Sequence, residues 1–185
     1  MQVKFTEIQN KAERKKVKAL YNQSVPAREK AYFYFLWWKR KRPNVSFVNI
    51  YDEDKWVGFV FYSLCKDLVY VWFFATYDTA HSKNYDSAMF AEMRRLYPNH
   101  RIVLSIEAEN ENADNAEQSV KEKRFYEKNG FREAGYFVKR KTDSFEIMLS
   151  GESFHIEELY RVNQDVYPLI GRFIVSDMKK QIQKK

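Results

Sequence analysis

The run Leu68–Thr76 reads Leu-Val-Tyr-Val-Trp-Phe-Phe-Ala-Thr and is apolar on both faces of any strand it forms. A strand that alternates polar and apolar residues can leave one side to water; one that does not needs cover on both. This segment therefore predicts a central strand with helices packed above and below. Two more strand-like runs precede it, Val45–Tyr51 and Trp56–Leu64, separated by Asp52-Glu53-Asp54-Lys55 and Lys66-Asp67. Connections that short suit hairpins, so the three runs predict an antiparallel meander.

Beyond a polar loop, Tyr77–Lys83, a helix is expected from near Asn84, because Tyr85, Ala88, Met89, Met93, Leu96 and Tyr97 share one face at helical spacing. Pro98 closes it, and Arg101–Ala108 returns as a strand. Strand, crossover helix, strand makes the two strands parallel neighbours in one sheet. The polar stretch Glu109–Gln118 leads into a helix ending at Asn129, and Phe131–Lys139 with Phe145–Ser150 forms a last hairpin. Upstream, Val3–Ile8 is a first strand, and Asn10–Asn22 an amphipathic helix on Val17, Leu20 and Tyr21, stopped by Pro26. A second helix, Ala27–Lys41, carries aromatic residues all round its axis, which predicts that it is buried or covers a binding groove. From His155 the chain reads as helical, with a Lys/Gln tail expected to fray. The pattern is α+β: a mixed, mostly antiparallel sheet flanked by helices, with a C-terminal helical extension.

At 185 residues the chain suits one domain with a sizeable core, and no stretch has linker composition. The boundaries expected are 1–153 for the main domain and 154–185 for the extension packed on it. With 15 Phe, 13 Tyr and 4 Trp, disorder is excluded. The single cysteine, Cys65, cannot close an internal disulfide and reads as a small buried hydrophobe. His81, His100 and His155 lack metal-ligand spacing, so no metal is expected. The densest apolar run, Tyr32–Trp38, has seven residues, against the roughly 20 a membrane span needs. The N-terminus is polar throughout, so a cytoplasmic protein with no membrane contact is expected. The net charge of +7 favours anionic partners. Lys39-Arg40-Lys41-Arg42 and Lys139-Arg140-Lys141 read as solvated faces or anion sites; no nucleic-acid-binding motif accompanies them, and nucleic acid is not the expected partner.

One string is more specific. Arg124-Phe125-Tyr126-Glu127-Lys128-Asn129-Gly130-Phe131 closes a helix directly onto a strand. Gly130 suits the left-handed position after a helix end, with Phe131 folding back onto Tyr126 or Phe125. Together with the element order, this string resembles the GNAT acyltransferase superfamily, whose last core helix ends on a Tyr-Glu-x-x-Gly-Phe-like sequence. The resemblance spans roughly Val45–Ser150, with the two N-terminal helices also in the family's places. The family's pyrophosphate loop usually reads Arg/Gln-x-x-Gly-x-Gly/Ala. By register this chain has His81-Ser82-Lys83-Asn84-Tyr85-Asp86, with Asn84 and Asp86 in place of glycines. Asn84 tolerates the left-handed geometry a glycine would supply. A carboxylate at Asp86 would repel a phosphate, which Lys83 and His81 offset.

The resemblance implies acyl transfer from acetyl-CoA to a primary amine by direct attack, on a small-molecule or peptide acceptor, by a monomer or homodimer. It implies that the two parallel strands splay, with the pantetheine lying along main-chain groups of Trp72, Phe73, Phe74 and Ala75. The diphosphate would then meet His81, Ser82, Lys83, Asn84, Tyr85, Asp86 and Ser87. Tyr126 matches the residue that protonates the departing thiolate; an ordinary tyrosine pKa of about 10 keeps the proton until a thiolate forms beside it. The other reading of Tyr126 is a buried tyrosine with a bonded hydroxyl. Glu107 and Glu109 are the candidate bases, within an acidic stretch (with Glu111, Asp114 and Glu117) that would draw a cationic amine. Trp37 and Trp38 read as core or as the wall of an acceptor pocket. The alternative function is a GNAT-like binding module that has lost its cofactor and recognises a ligand or partner protein.

Overall fold

The computed structural model describes residues 1–27, 30–77, 84–109, 116–140, 143–166 and 182–184. Over these the elements follow the order β1 (Lys4–Glu7), α1 (Lys11–Ser24), α2 (Phe33–Lys39), β2 (Val45–Asp52), β3 (Lys55–Cys65), β4 (Leu68–Thr76), α3 (Tyr85–Leu96), β5 (Arg101–Glu107), α4 (Ala116–Lys128), β6 (Arg132–Arg140), β7 (Asp143–Ser150), α5 (Ile156–Val166) and β8 (Ile182–Lys184). The chain divides into two compact units, residues 1–64 with 71–99, and residues 65–70 with 100–185, so that β4 contributes to both.

The first unit holds β1, β2 and β3, paired antiparallel, with the second part of β4. Phe47, Phe59, Phe61 and Tyr21 pack ring against ring in its core, each at most 4% exposed. Helix α1 forms because Val17, Leu20 and Tyr21 fall on one face and are all buried. Its start is fixed by a reciprocal cap: Glu13 donates its backbone N–H to Asn10 Oδ1 at 3.0 Å, and its carboxylate accepts from Gln9 N at 2.9 Å. Helix α3 buries Tyr85, Ala88, Met89, Phe90, Glu92 and Met93. Leu96, expected on that face, is 40% exposed.

The second unit orders the first part of β4, then β5, β7, β6 and β8. Strands β4 and β5 run parallel, as the crossover predicts, in a register of Leu68, Val69 and Tyr70 with Arg101, Ile102 and Val103. The remaining pairs are antiparallel, giving the expected mixed, mostly antiparallel α+β sheet.

Two further expectations differ from the structure. Helix α2 is seven residues, not the fifteen of 27–41, because Tyr32 is extended at φ −65°, ψ 119° and the helix starts after it. It buries only Phe33, Leu36 and Lys39 and leaves Tyr32, Tyr34 and Trp38 exposed, so it is one-sided rather than apolar all round. The end of the tail is strand β8 rather than a fray, with Ile182, Gln183 and Lys184 set against Val138, Phe137 and Tyr136. Main-chain pairing at a sheet edge asks nothing of side-chain hydropathy, so a polar sequence gave no sign of it. Residues 167–181, which include Tyr167, Leu169, Ile170, Phe173 and Ile174, lie outside the described part.

Candidate active site

Helix α4 ends as the sequence predicts. Gly130 has φ +79°, the Phe131 amide donates to the Tyr126 carbonyl at 3.0 Å and the Gly130 amide to the Glu127 carbonyl at 3.0 Å. These are the two bonds of a Schellman ending. Phe131 folds back so that its ring meets Tyr126 edge to face, centroids 5.8 Å apart. Phe125 holds the neighbouring side at 5.3 Å. Tyr126 is 6% exposed, so its ring orientation is fixed by two aromatic neighbours and the turn beneath it.

Glu107 and Glu109 lie in the same unit as Tyr126. Glu107 is the last residue of β5, half-buried and opposite Phe145 of β7; Glu109 is exposed just beyond. The Ala108 amide donates to the Ser144 carbonyl at 2.8 Å, which fixes the main chain between them. Glu111 and Asp114 fall outside the described residues, and Glu117 is exposed.

The residues expected to hold a donor lie in the first unit. Phe73 packs edge to face on Tyr21 at 5.5 Å, Phe74 on Phe90 at 5.4 Å, and Ala75 is 7% exposed. Trp72 donates its indole N–H to Ser63 Oγ at 2.9 Å. Trp72, Phe73 and Phe74 are half-buried, so these packed side chains keep part of their surface exposed beside the main chain. Tyr85 is 2% exposed and its hydroxyl donates to Asp52 Oδ2 at 3.0 Å, so it too is anchored by its side chain. Thr76 Oγ1 donates to Asp86 Oδ1 at 2.7 Å, giving that carboxylate a partner on the end of β4. Asn84 is the N-cap of α3 with φ −76°, ψ 62° and no side-chain cap bond. It therefore does not use the left-handed geometry anticipated for it; a helix N-cap needs only a non-helical, negative φ. Ser87 follows in the first turn of α3, half-buried. His81, Ser82 and Lys83 lie outside the described residues.

Sequence reasoning missed the cation–aromatic layer of α1 and α2. Arg40 stacks on Trp37 at 3.9 Å with Arg14 on the same ring at 5.2 Å, and Lys18 sits over Tyr34 at 4.4 Å. Lys39, 2% exposed, places its ammonium 4.9 Å from both Phe35 and Trp38, and burial pulls its pKa down. The basic run at 39–42 is thus partly internal rather than a solvated face. Trp38 is 56% exposed and so is not core. Lys39 four residues after Phe35 and Arg40 three after Trp37 were the signals available for the contacts within α2.

The sequence pattern of the Acetyltransferase (GNAT) family matches residues 7–131. No protein of curated function matches the chain. Among solved structures, a GNAT-family protein from Bacteroides thetaiotaomicron superposes with a TM-score of 0.70 at 19% identity, covering 92% of this chain and 98% of that one. The ribosomal-protein-S18-alanine N-acetyltransferase of Escherichia coli gives 0.57 at 13% identity, over 83% and 96%. An aminoglycoside 6'-N-acetyltransferase complexed with coenzyme A gives 0.62 at 13% identity, over 80% and 96%. At these identities the likeness is one of fold.

Proposed function

The chain belongs to the acetyltransferase (GNAT) family, and from that premise we propose that it moves an acetyl group from acetyl-CoA to a primary amine, with Tyr126 as the general acid. The observation that supports this reading is the α4–β6 corner, where Gly130 and Phe131 hold the ring of Tyr126, the residue that the sequence resemblance assigns as the acid. Acetyl-CoA would supply an acetyl group on a thioester, whose sulfur departs as a thiolate and takes a proton.

This chain's residues supply the rest. Phe73, Phe74 and Ala75 would meet the carrier through main-chain groups. Asn84, Tyr85, Asp86 and Ser87 would meet its phosphates through amides of the α3 N-terminus, where the helix dipole favours an anion. The Thr76 hydroxyl draws on the Asp86 carboxylate, which answers part of the repulsion a carboxylate would exert there. Residues 81–83 add a lysine and a histidine in sequence. Glu107 or Glu109 would take the proton lost by the attacking amine, and Tyr126 would give one to the departing sulfur. Exposure favours Glu109 for drawing in a cationic acceptor, and position in a paired strand favours Glu107 for holding a fixed geometry. Acceptors named for structurally similar proteins include an aminoglycoside, spermidine and an alanine of ribosomal protein S18. A small amine or a peptide is the acceptor class proposed here.

The test is a melting curve with CoA. Ligand at about 100 times its dissociation constant adds about 2.7 kcal/mol to the native state. A clear upward shift, with release of free thiol when an amine and acetyl-CoA are both present, supports the transferase. No shift at millimolar CoA overturns it in favour of a binding module without cofactor.

A further inference from the structure

The first unit contains a cleft of about 630 Å³ lined by Ala12, Lys15, Lys16, Ala19, Trp56 and Tyr77. That volume lies within the range of small-molecule sites. Its walls differ in character. Helix α1 contributes alanines at 12 and 19, two turns apart, with Lys15 and Lys16 between them. The small residues leave room for a flat group, and the lysines place two ammonium groups at its edge. Both lysines are exposed, and among the described residues neither is found in an ion pair or hydrogen bond.

The opposite wall is aromatic and held in place. Trp56 and Tyr77 meet edge to face with centroids 5.5 Å apart. The Trp56 indole N–H donates to Asn49 Oδ1 at 2.9 Å, and the fully buried Asn49 donates in turn to Glu13 Oε2 at 3.0 Å. Glu13 also accepts from Gln9 N and from Asn10 Nδ2 at 2.8 Å. The carboxylate nearest in sequence to the two lysines is therefore already taken up in capping α1 and orienting Trp56.

A corner of two aromatic rings, with two unpaired cations lining the same cleft, selects a planar ring that carries an anion. Two adjacent ammonium groups suit a phosphate, which holds about −1.5 to −2 charges at pH 7, better than a single carboxylate. We propose that this cleft binds a nucleoside monophosphate, its base against Trp56 and Tyr77 and its phosphate between Lys15 and Lys16. The argument for this cleft does not depend on the acyl-transfer reading.

Titration of isotopically labelled protein with AMP, followed by NMR, tests it. Saturable shifts are expected at the Trp56 indole N–H and at the amides of Ala12 and Ala19, with adenosine and inorganic phosphate each binding more weakly than AMP. The double variant Lys15→Ala/Lys16→Ala should weaken AMP by about tenfold or more. Lys15→Arg/Lys16→Arg should keep most of the affinity, because both charges remain. Both lysines being exposed, the variants keep the dispersed spectrum of a folded protein. The proposal is overturned if millimolar AMP gives no saturable shift, or if the shifts gather in α3 at Ala88 and Met89. Equal affinity for adenosine and AMP, or unchanged affinity in the double alanine variant, would overturn it as well.

Discussion

A methyl group added at Gly58 would sit 2.2 Å from the Ala75 carbonyl oxygen and 2.9 Å from the Thr76 Cα. Both obstacles are backbone and cannot swing aside, so β3 and β4 lie this close only because residue 58 lacks a side chain. Gly58→Ala should therefore cost about 3 kcal/mol, at the upper end for overpacking, measurable as a lowered urea midpoint. Tyr126 makes the opposite kind of prediction, since the change concerns one oxygen and spares the ring packing. Tyr126→Phe should lower kcat by about 100-fold, a typical general-acid effect, while the KM for acetyl-CoA and the melting temperature stay near wild type. Loss of folding would mean that the hydroxyl is structural. Cys65 carries no such role: burial, then the nearby Asp165 carboxylate, raises its thiol pKa. Its alkylation by iodoacetamide at neutral pH should be slower than that of free cysteine. Gly130 was legible in sequence because a glycine followed by an aromatic residue after a helix has one common use. Gly58 was not, since a glycine inside a strand signals a close approach without naming what approaches.

Elements were legible where burial is one-sided and the period clean. Val17, Leu20 and Tyr21 mark the face that α1 buries, and Leu68–Thr76 is β4 end to end. Helix α2 was overread because an aromatic-rich run says nothing about which rings are covered by apolar neighbours and which by cations. Lys39 and Arg40 cover Phe35, Trp38 and Trp37 from within the α2 run, whereas Arg14 and Lys18 reach Trp37 and Tyr34 from α1, contacts that depend on where α1 lies rather than on α2's own pattern. The join of α4 to its strands was also hidden. Lys123 donates to Glu133 on β6 and, at 2.8 Å, to Glu146 on β7, which is 1% exposed. Burial alone would depress the lysine, but the two carboxylates outweigh it and hold its pKa above the ordinary range. Lys123→Met leaves Glu146 buried without its cation and should cost about 3–5 kcal/mol. The double variant Lys123→Met/Glu146→Gln should recover part of that loss, which a thermal denaturation series would read directly.

At the scale of the whole molecule, a net charge of +7 works against compactness as pH falls and carboxylates neutralise. The second unit meets this through Arg101. At the head of β5, its guanidinium makes paired bonds to Asp67 on the β3–β4 turn, both 3.0 Å, and to Glu158 on α5 at 2.7 and 3.0 Å. A further bond reaches the Ser153 carbonyl at 2.7 Å, and the His155 amide donates to Glu158 at 2.9 Å. Gly151 permits the approach, because a Cβ there would lie 2.6 Å from the Arg101 side chain. Burial pushes the Glu158 carboxyl up, but the bonds from Arg101 and His155 outweigh it and its pKa ends lowered; the Arg101 bond does the same for the largely exposed Asp67. A carboxylate with a depressed folded pKa stabilises the native state above its unfolded value, about 4.3 for glutamate, and loses that contribution as pH falls through the folded value. Glu158 should matter more than Asp67, its side chain being 19% exposed against 57%. Glu158→Gln is therefore expected to lower stability by about 1–2 kcal/mol at pH 7. The gap from wild type should narrow steadily below pH about 4 as the wild-type carboxyl protonates. Urea unfolding of the two proteins from pH 7 down to about 3 measures it. A gap that stayed constant with pH would mean that α5 is held by the packing of Leu159, Val162 and Val166 rather than by the charge on Glu158.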